Sequence, residues 1–212
     1  MTGKTSLLRK LQAAKFYDLL DPTLELSLRS QPQQFVDELR LLPSGSLVIV
    51  DEIQKLPLLL DYVQSGIDQL KLRFILSGSS ARKLKRGAAN LLGGRALDLK
   101  LHPLTHIEIG NSFNISHALS YGTLPNIYNL TSEGVLDEVR LLLKSYYTVY
   151  IKEEIQAEAI VRNLAGFQRF LPIAATADAR TIEYSNIGKD ASVPDSTVKD
   201  FFTILEDTLI GR

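Results

Sequence analysis

The sequence predicts an α/β domain built on a parallel sheet, followed by a mostly helical domain. Two short runs carry the first part of that statement. LVIVDE (47–52) and RFILSGSS (73–80) are apolar without strict alternation until they reach polar ends. A strand buried on both faces of a parallel sheet has that pattern. The third observation is a change of character after about Asn111. Strand-like runs stop there, and the stretch 134–164 is long, periodic and helical. The boundary therefore falls near residue 110, with an α/β domain over 1–110 and a helical domain over 111–212.

Each element follows from its local pattern. Thr2 to Ala14 reads as a helix with Leu7, Leu8 and Leu11 on one stripe and Arg9, Lys10 and Gln12 off it. KFYDLLDP is short and stopped by Pro22, a strand end and turn. PQQFVDELRLL (32–42) is a helix, with Pro32 in its first turn and Phe35, Val36, Leu39 and Leu42 on one face. PSGS breaks it before the first buried strand. PLLLDYVQSGIDQL (57–70) is a helix with Gly66 inside it, and ALDLKLHPL (96–104) alternates like a half-exposed strand. Beyond residue 111, AGFQRFLPIAATAD (165–178) is a further helix.

Composition narrows the function classes. Hydrophobic residues make up 45% and charged residues 23%, enough for a real core in a water-facing protein. Lys+Arg and Asp+Glu are equal at 24 each, so no global field draws the chain to nucleic acid or anionic membrane. No cysteine is present, which excludes disulfides and thiolate metal sites and is compatible with a cytoplasmic location. His102 and His106 have i,i+4 spacing, but Pro103 between them argues against one helix face, so a strand end or loop fits better than a metal site. No apolar run is long enough to span a bilayer, and Lys4, Arg9 and Lys10 interrupt any signal-peptide pattern.

The chemistry concentrates at predicted strand ends. Gly3-Lys4-Thr5 reads as the end of the phosphate-binding pattern G-x-x-x-x-G-K-[ST], whose backbone N–H groups wrap phosphates, whose lysine reaches the β- and γ-phosphates, and whose hydroxyl ligates Mg²⁺. The first glycine of that pattern would fall five residues before Gly3, ahead of Met1. The expectation is therefore a chain that forms the downstream part of a longer protein. LVIVDE delivers Asp51 and Glu52 to the carboxyl end of one strand, and FILSGSS delivers Ser77, Ser79 and Ser80 to the end of another, where ligands of open α/β sheets bind. Nucleotide hydrolysis needs these parts: a lysine against phosphate charge, a hydroxyl and an acid on Mg²⁺, a carboxylate to orient water, and a polar group near the γ-phosphate. Taken singly, GKT is common by chance, Asp-Glu suits a strand exit, and Ser-Gly-Ser-Ser suits a turn. Their order along the chain gives the nucleotide reading its weight.

TGKTSLLRKL, LVIVDEIQKLP, FILSGSSARKL, LLGGRALDLKLHPLT and YGTLP together resemble a family of prokaryotic AAA+ ATPases. In that family a P-loop domain precedes a helical region and a winged-helix-like C-terminal domain. The resemblance implies a P-loop NTPase (AAA+-like) parallel sheet, here incomplete at its N-terminus. It implies Gly3, Lys4 and Thr5 as nucleotide-binding residues, Thr5 and Asp51 as holders of Mg²⁺, and Glu52 as the catalytic carboxylate. Ser79 or Ser80 matches the sensor position. Arg95 matches an arginine that contacts nucleotide phosphates, within one subunit or across the interface of a homo-oligomer; a structural salt bridge explains it as well. The absence of an N-K-x-D string leans towards ATP over GTP.

YSNIGKDASVPDSTVKDFFTILEDTLIG, near 180–212, has a helix-turn-helix pattern with Asp195 or Ser196 as the N-cap of its second helix. From 180 to 212 there are four basic and six acidic residues, a net charge opposed to phosphate contact. Packing or protein contact suits the segment better than DNA. The basic run RKLKR (82–86) is a better phosphate-contacting patch, although an exposed loop or helix start explains it equally. The function expected is ATP binding and Mg²⁺-dependent hydrolysis coupled to an unknown protein partner. The alternative is a non-hydrolysing remnant or interaction module acting through the C-terminal helical half.

Overall fold

The computed structural model describes residues 3–78, 96–132, 134–150 and 163–207. The chain divides into two compact units, Met1–Ser112 and Phe113–Arg212. The first is α/β. Its three strands, β1 (Lys15–Asp18), β2 (Leu47–Asp51) and β3 (Arg73–Leu76), form one sheet in the order β1-β2-β3, with both pairs parallel. The register sets Asp18 beside Asp51 and Val50 beside Leu76, so the strands finish almost level.

The helices are α1 (Lys4–Leu8), α2 (Pro22–Ser30), α3 (Gln33–Arg40) and α4 (Leu59–Leu70), with a 3-10 turn over Ile53–Lys55. The core is formed by Tyr17, Val48 and Val50 of the sheet with Phe35, Leu39 and Val63 of α3 and α4, all buried. These strand positions alternate with Ile49, which is buried on the opposite face, so β2 is covered on both sides as its apolar run requires. Gly66 lets α4 cross β3 closely: a Cβ there would lie 3.0 Å from the Phe74 ring.

Three local expectations need correction. The first helix stops at Leu8 rather than Ala14, because the chain tightens into i→i+3 hydrogen bonds at Lys10 and Leu11 before Ala14 N–H reaches Leu47 O at the start of the sheet. Pro22 does not stop structure; it is the first residue of α2, behind an Asp21 side chain that accepts from Thr23 N–H at 2.8 Å. Segment 96–104 forms no strand. Leu97 and Leu99 are 90% and 87% exposed, and among the described residues no sheet edge pairs with them. The strands expected at 47–50 and 73–76 are neighbours and parallel, but β3 is only half-buried, being the last strand of the sheet among the described residues.

A polar network lies beneath the other end of β1. Tyr17 donates to Glu38 at 2.8 Å, Lys15 pairs with the same carboxylate at 2.7 Å, and Gln34 donates to its other oxygen at 3.1 Å. The Tyr17 ring packs on Phe35 with centroids 4.8 Å apart. Burial, then the bond and charge of Glu38, push the Tyr17 phenol well above its ordinary range. Burial alone would raise Glu38, but the hydrogen bonds from Lys15, Tyr17 and Gln34 outweigh it and hold the carboxyl below its ordinary value.

After β3 the described structure resumes at residue 96. Helix α5 (His106–Ile109) starts on a capping box, with Thr105 and Glu108 bonded reciprocally, a signal legible in T-H-I-E. His106 thus opens a short helix, while His102 precedes it in a loop. The second unit contains α6 (Ile115–Tyr121), α7 (Pro125–Ser132), α8 (Leu136–Tyr150), α9 (Leu164–Thr176), α10 (Tyr184–Ala191) and α11 (Asp195–Asp207). The last three pack around Phe167, Phe170 and Phe201, with ring centroids 5.0 to 5.7 Å apart. The helix expected to run through 134–164 is described only as α8, since residues 151–162 lie outside the described residues. Asp195 is the first residue of α11 rather than its N-cap, and Val198 N–H reaches Pro194 O.

Candidate functional site

β2 and β3 finish side by side, and the first turn of α1 lies against both ends. Gly3 precedes α1 in the left-handed region at φ 85°, where glycine carries no Cβ penalty. Lys4 follows and sends its Nζ to Gly78 O, just beyond β3, at 2.7 Å. Thr5 Oγ1 donates to Asp51 Oδ2 at 2.6 Å. Two residues 46 apart in sequence thus share one hydrogen bond at the end of the central strand.

Asp51 is the last residue of β2 and is fully buried. An ionised carboxylate accepts only, so both of its hydroxyl partners must donate: Thr5 to Oδ2, and Ser77 in a short hydrogen bond to Oδ1. Ser77, itself buried, also accepts Glu52 N–H on its hydroxyl at 3.3 Å and Ile53 N–H on its backbone oxygen at 3.0 Å. Glu52 sits in the left-handed region at φ 59°, uncommon for a residue with a side chain. That turn carries its carboxylate away from the strand line, where Gln54 Nε2 donates to Oε2 in a short hydrogen bond. On the far side, Asp18 ends β1, accepts from Leu20 N–H at 3.0 Å and pairs with Arg9 at 2.9 Å.

The structure therefore brings together Lys4, Thr5, Asp51 and, through the shared turn, Glu52. The sequence-selected Ser79, Ser80 and Arg95 lie outside the described residues, as does the basic run 82–86. Sequence reasoning missed Gln54 and Asp18. Gln54 falls in the D-E-I-Q string, but nothing in the string says that its amide faces Glu52. Asp18 could have been found by reading KFYD as a strand rather than its end, since a carboxylate would then stand level with Asp51.

The donor set suits a hard cation. Thr5 and Asp51 offer a hydroxyl and a carboxylate within 2.6 Å of each other, and Mg²⁺ is commonly held by one or two such protein oxygens with phosphate and water. Among the described residues no group of three or more acidic, histidine or cysteine side chains could form an all-protein cage. An ammonium has three donors, so the Gly78 carbonyl does not exhaust Lys4.

The first unit is a parallel α/β unit in which a lysine, a hydroxyl and a buried carboxylate converge at the strand ends. Residues 1–110 match the model of a family described as an AAA domain, and the chain belongs to that family. Residues 113–212 match a family described as a domain of unknown function. No curated protein and no solved structure matches the chain. Among the described residues, no helix is long and apolar enough to cross a membrane.

Proposed function

We propose that the α/β unit is a P-loop nucleotide-binding domain that takes ATP with Mg²⁺ and hydrolyses it, and that the helical unit couples this cycle to a protein partner. The contact between Thr5 Oγ1 and Asp51 Oδ2 carries the reading. It joins the end of the G-K-T motif to the acid after the apolar strand, two features that the sequence holds far apart. Lys4 would neutralise phosphate charge, Thr5 and Asp51 would hold Mg²⁺, and Glu52 would orient the attacking water. Mg²⁺, when bound, would supply neutralisation of the phosphate charge. Ser79, Ser80 and Arg95 are proposed from their sequence positions, as sensor and phosphate contacts.

Gln54 bonds to Oε2 of Glu52, so Oε1 would be the oxygen that accepts from water. The helical end supports protein rather than nucleic-acid contact. On α11 the exposed residues include Asp195, Asp200 and Glu206 against Lys199, and Arg169 is engaged with Ala191 O at 2.9 Å. The winged-helix-like reading of 180–212 rests on the α9–α11 packing.

The test is Mg-ATP titration of two chains by calorimetry. The 212-residue chain supplies Lys4, Thr5 and Asp51 but not the first half of the loop pattern, and we expect it to bind more weakly than low micromolar. A chain extended ahead of Gly3 by a β-strand and a G-x-x-x-x segment should bind tightly and release phosphate. Absence of Mg²⁺-dependent binding in both overturns the nucleotide reading.

A further inference from the structure

Ser77 has a density of bonds that the function above does not use. We propose that Ser77 is the positioning residue of the acidic pair, a hydroxyl that fixes the Asp51 carboxylate towards Thr5 and clamps Glu52 in its left-handed turn. The inference rests on the nucleotide reading of Lys4, Thr5 and Asp51.

The geometry argues it in three steps. Asp51 is fully buried and has two oxygens; Ser77 Oγ–H occupies Oδ1 and leaves Oδ2 to Thr5 at 2.6 Å. Without the Ser77 donor, one oxygen of a buried carboxylate loses its partner, and the group is free to rotate about χ2 away from the threonine. The same Ser77 oxygen accepts Glu52 N–H at 3.3 Å, and Ser77 O accepts Ile53 N–H at 3.0 Å, while Ser77 N–H continues the ladder to Val50 O at 3.0 Å. The residue just after β3 therefore ties its donor, its hydroxyl and its carbonyl to four consecutive residues, Val50 to Ile53. Three of these ties meet the acidic pair or the turn that follows it. The left-handed conformation of Glu52 is unfavourable for a residue with a side chain and persists only if its surroundings hold it.

A purely structural serine would contribute stability without setting metal geometry. Groups that orient ligating carboxylates typically change metal affinity by about 10- to 100-fold when removed. The experiment uses the full 212-residue chain in a ¹⁵N NMR titration with Mn²⁺ and excess ATP as the probe, which reads weak binding through broadening of amides near the ion. In the wild type, Thr5, Glu52 and Ile53 should broaden first. Ser77→Ala should raise the Mn²⁺ concentration at half-broadening about tenfold and speed hydrogen exchange at Glu52 and Ile53. Ser77→Thr should restore both. If the alanine variant does not fold, Ser77→Cys fills a similar space with a weak donor and should give the same shift. Wild-type broadening with an unchanged midpoint in Ser77→Ala or Ser77→Cys overturns the role of Ser77 and leaves the nucleotide reading intact. No localised broadening in the wild type overturns this inference; the nucleotide reading falls with it only if the extended chain also fails to bind Mg-ATP.

Discussion

At the strand ends, single side chains share hydrogen bonds across large sequence distances, as Thr5 and Asp51 do. Asp51 was legible in the sequence because it follows four apolar residues; that it is the last residue of β2 rather than the first beyond it was not. Glu52 was legible as its neighbour, but its left-handed backbone was not, since glutamate has no preference for that region. Ser77 was noted as one of several small polar residues, and only the parallel register of β2 and β3 sets it against Asp51. The Tyr17–Glu38 bond gives a residue-scale prediction. Tyr17 has a folded pKa raised above its ordinary 10.0, so its contribution is present below about pH 10 and is lost as pH rises beyond it. Glu38 has a folded pKa lowered from 4.5, so its contribution is present above that value and is lost as pH falls through the folded pKa. The urea midpoint of the wild type, followed by circular dichroism, should fall on both sides. Tyr17→Phe should flatten the alkaline limb and lower the plateau by about 1 kcal/mol for the lost hydrogen bond. An unchanged alkaline limb contradicts the assignment.

At the scale of elements, the long patterns were read well and the short ones poorly. α3, α4, β2 and β3 each have a periodic or continuous apolar signal and appear where expected. α2 was missed although D-P-T-L-E holds an N-cap, a proline at the first helical position and an early acid, because proline was read as a stop. The alternation in 96–104 was real, but a strand needs a partner, and tertiary pairing is invisible in a local window. The packing of α9–α11 depends on Gly188. A Cβ there would lie 2.8 Å from Val193 O, a backbone atom that cannot rotate aside. Gly188→Ala should therefore destabilise the α9–α11 cluster by about 1–3 kcal/mol, seen as faster hydrogen exchange of its slowest amides. Exposed Lys189→Ala should stay within about 0.5 kcal/mol of wild type. Equal effects would mean that the close approach is not what orders the turn.

For the molecule as a whole, the two compact units, Met1–Ser112 and Phe113–Arg212, separate two kinds of legibility. The α/β unit announced its class through strand composition, and two of its motifs hold residues that meet at the strand ends. The helical unit announced only its helices, because a helical surface with mixed charge names no ligand. We propose that the strand-end cluster of the α/β unit is a Mg-nucleotide site in which Asp51 and Glu52 have different roles. In the chain extended by a strand and complete loop, Asp51→Asn should weaken the Mg²⁺-dependent part of nucleotide affinity, because it removes a charge from the ion. Glu52→Gln keeps size and hydrogen bonding but removes the acceptor that orients water. The most direct measurement is steady-state phosphate release alongside nucleotide affinity for the wild type and Glu52→Gln. Turnover of Glu52→Gln should fall by about 10²- to 10⁴-fold with affinity retained. Near-wild-type turnover in Glu52→Gln would contradict it and leave Glu52 as a strand-end carboxylate held by Gln54.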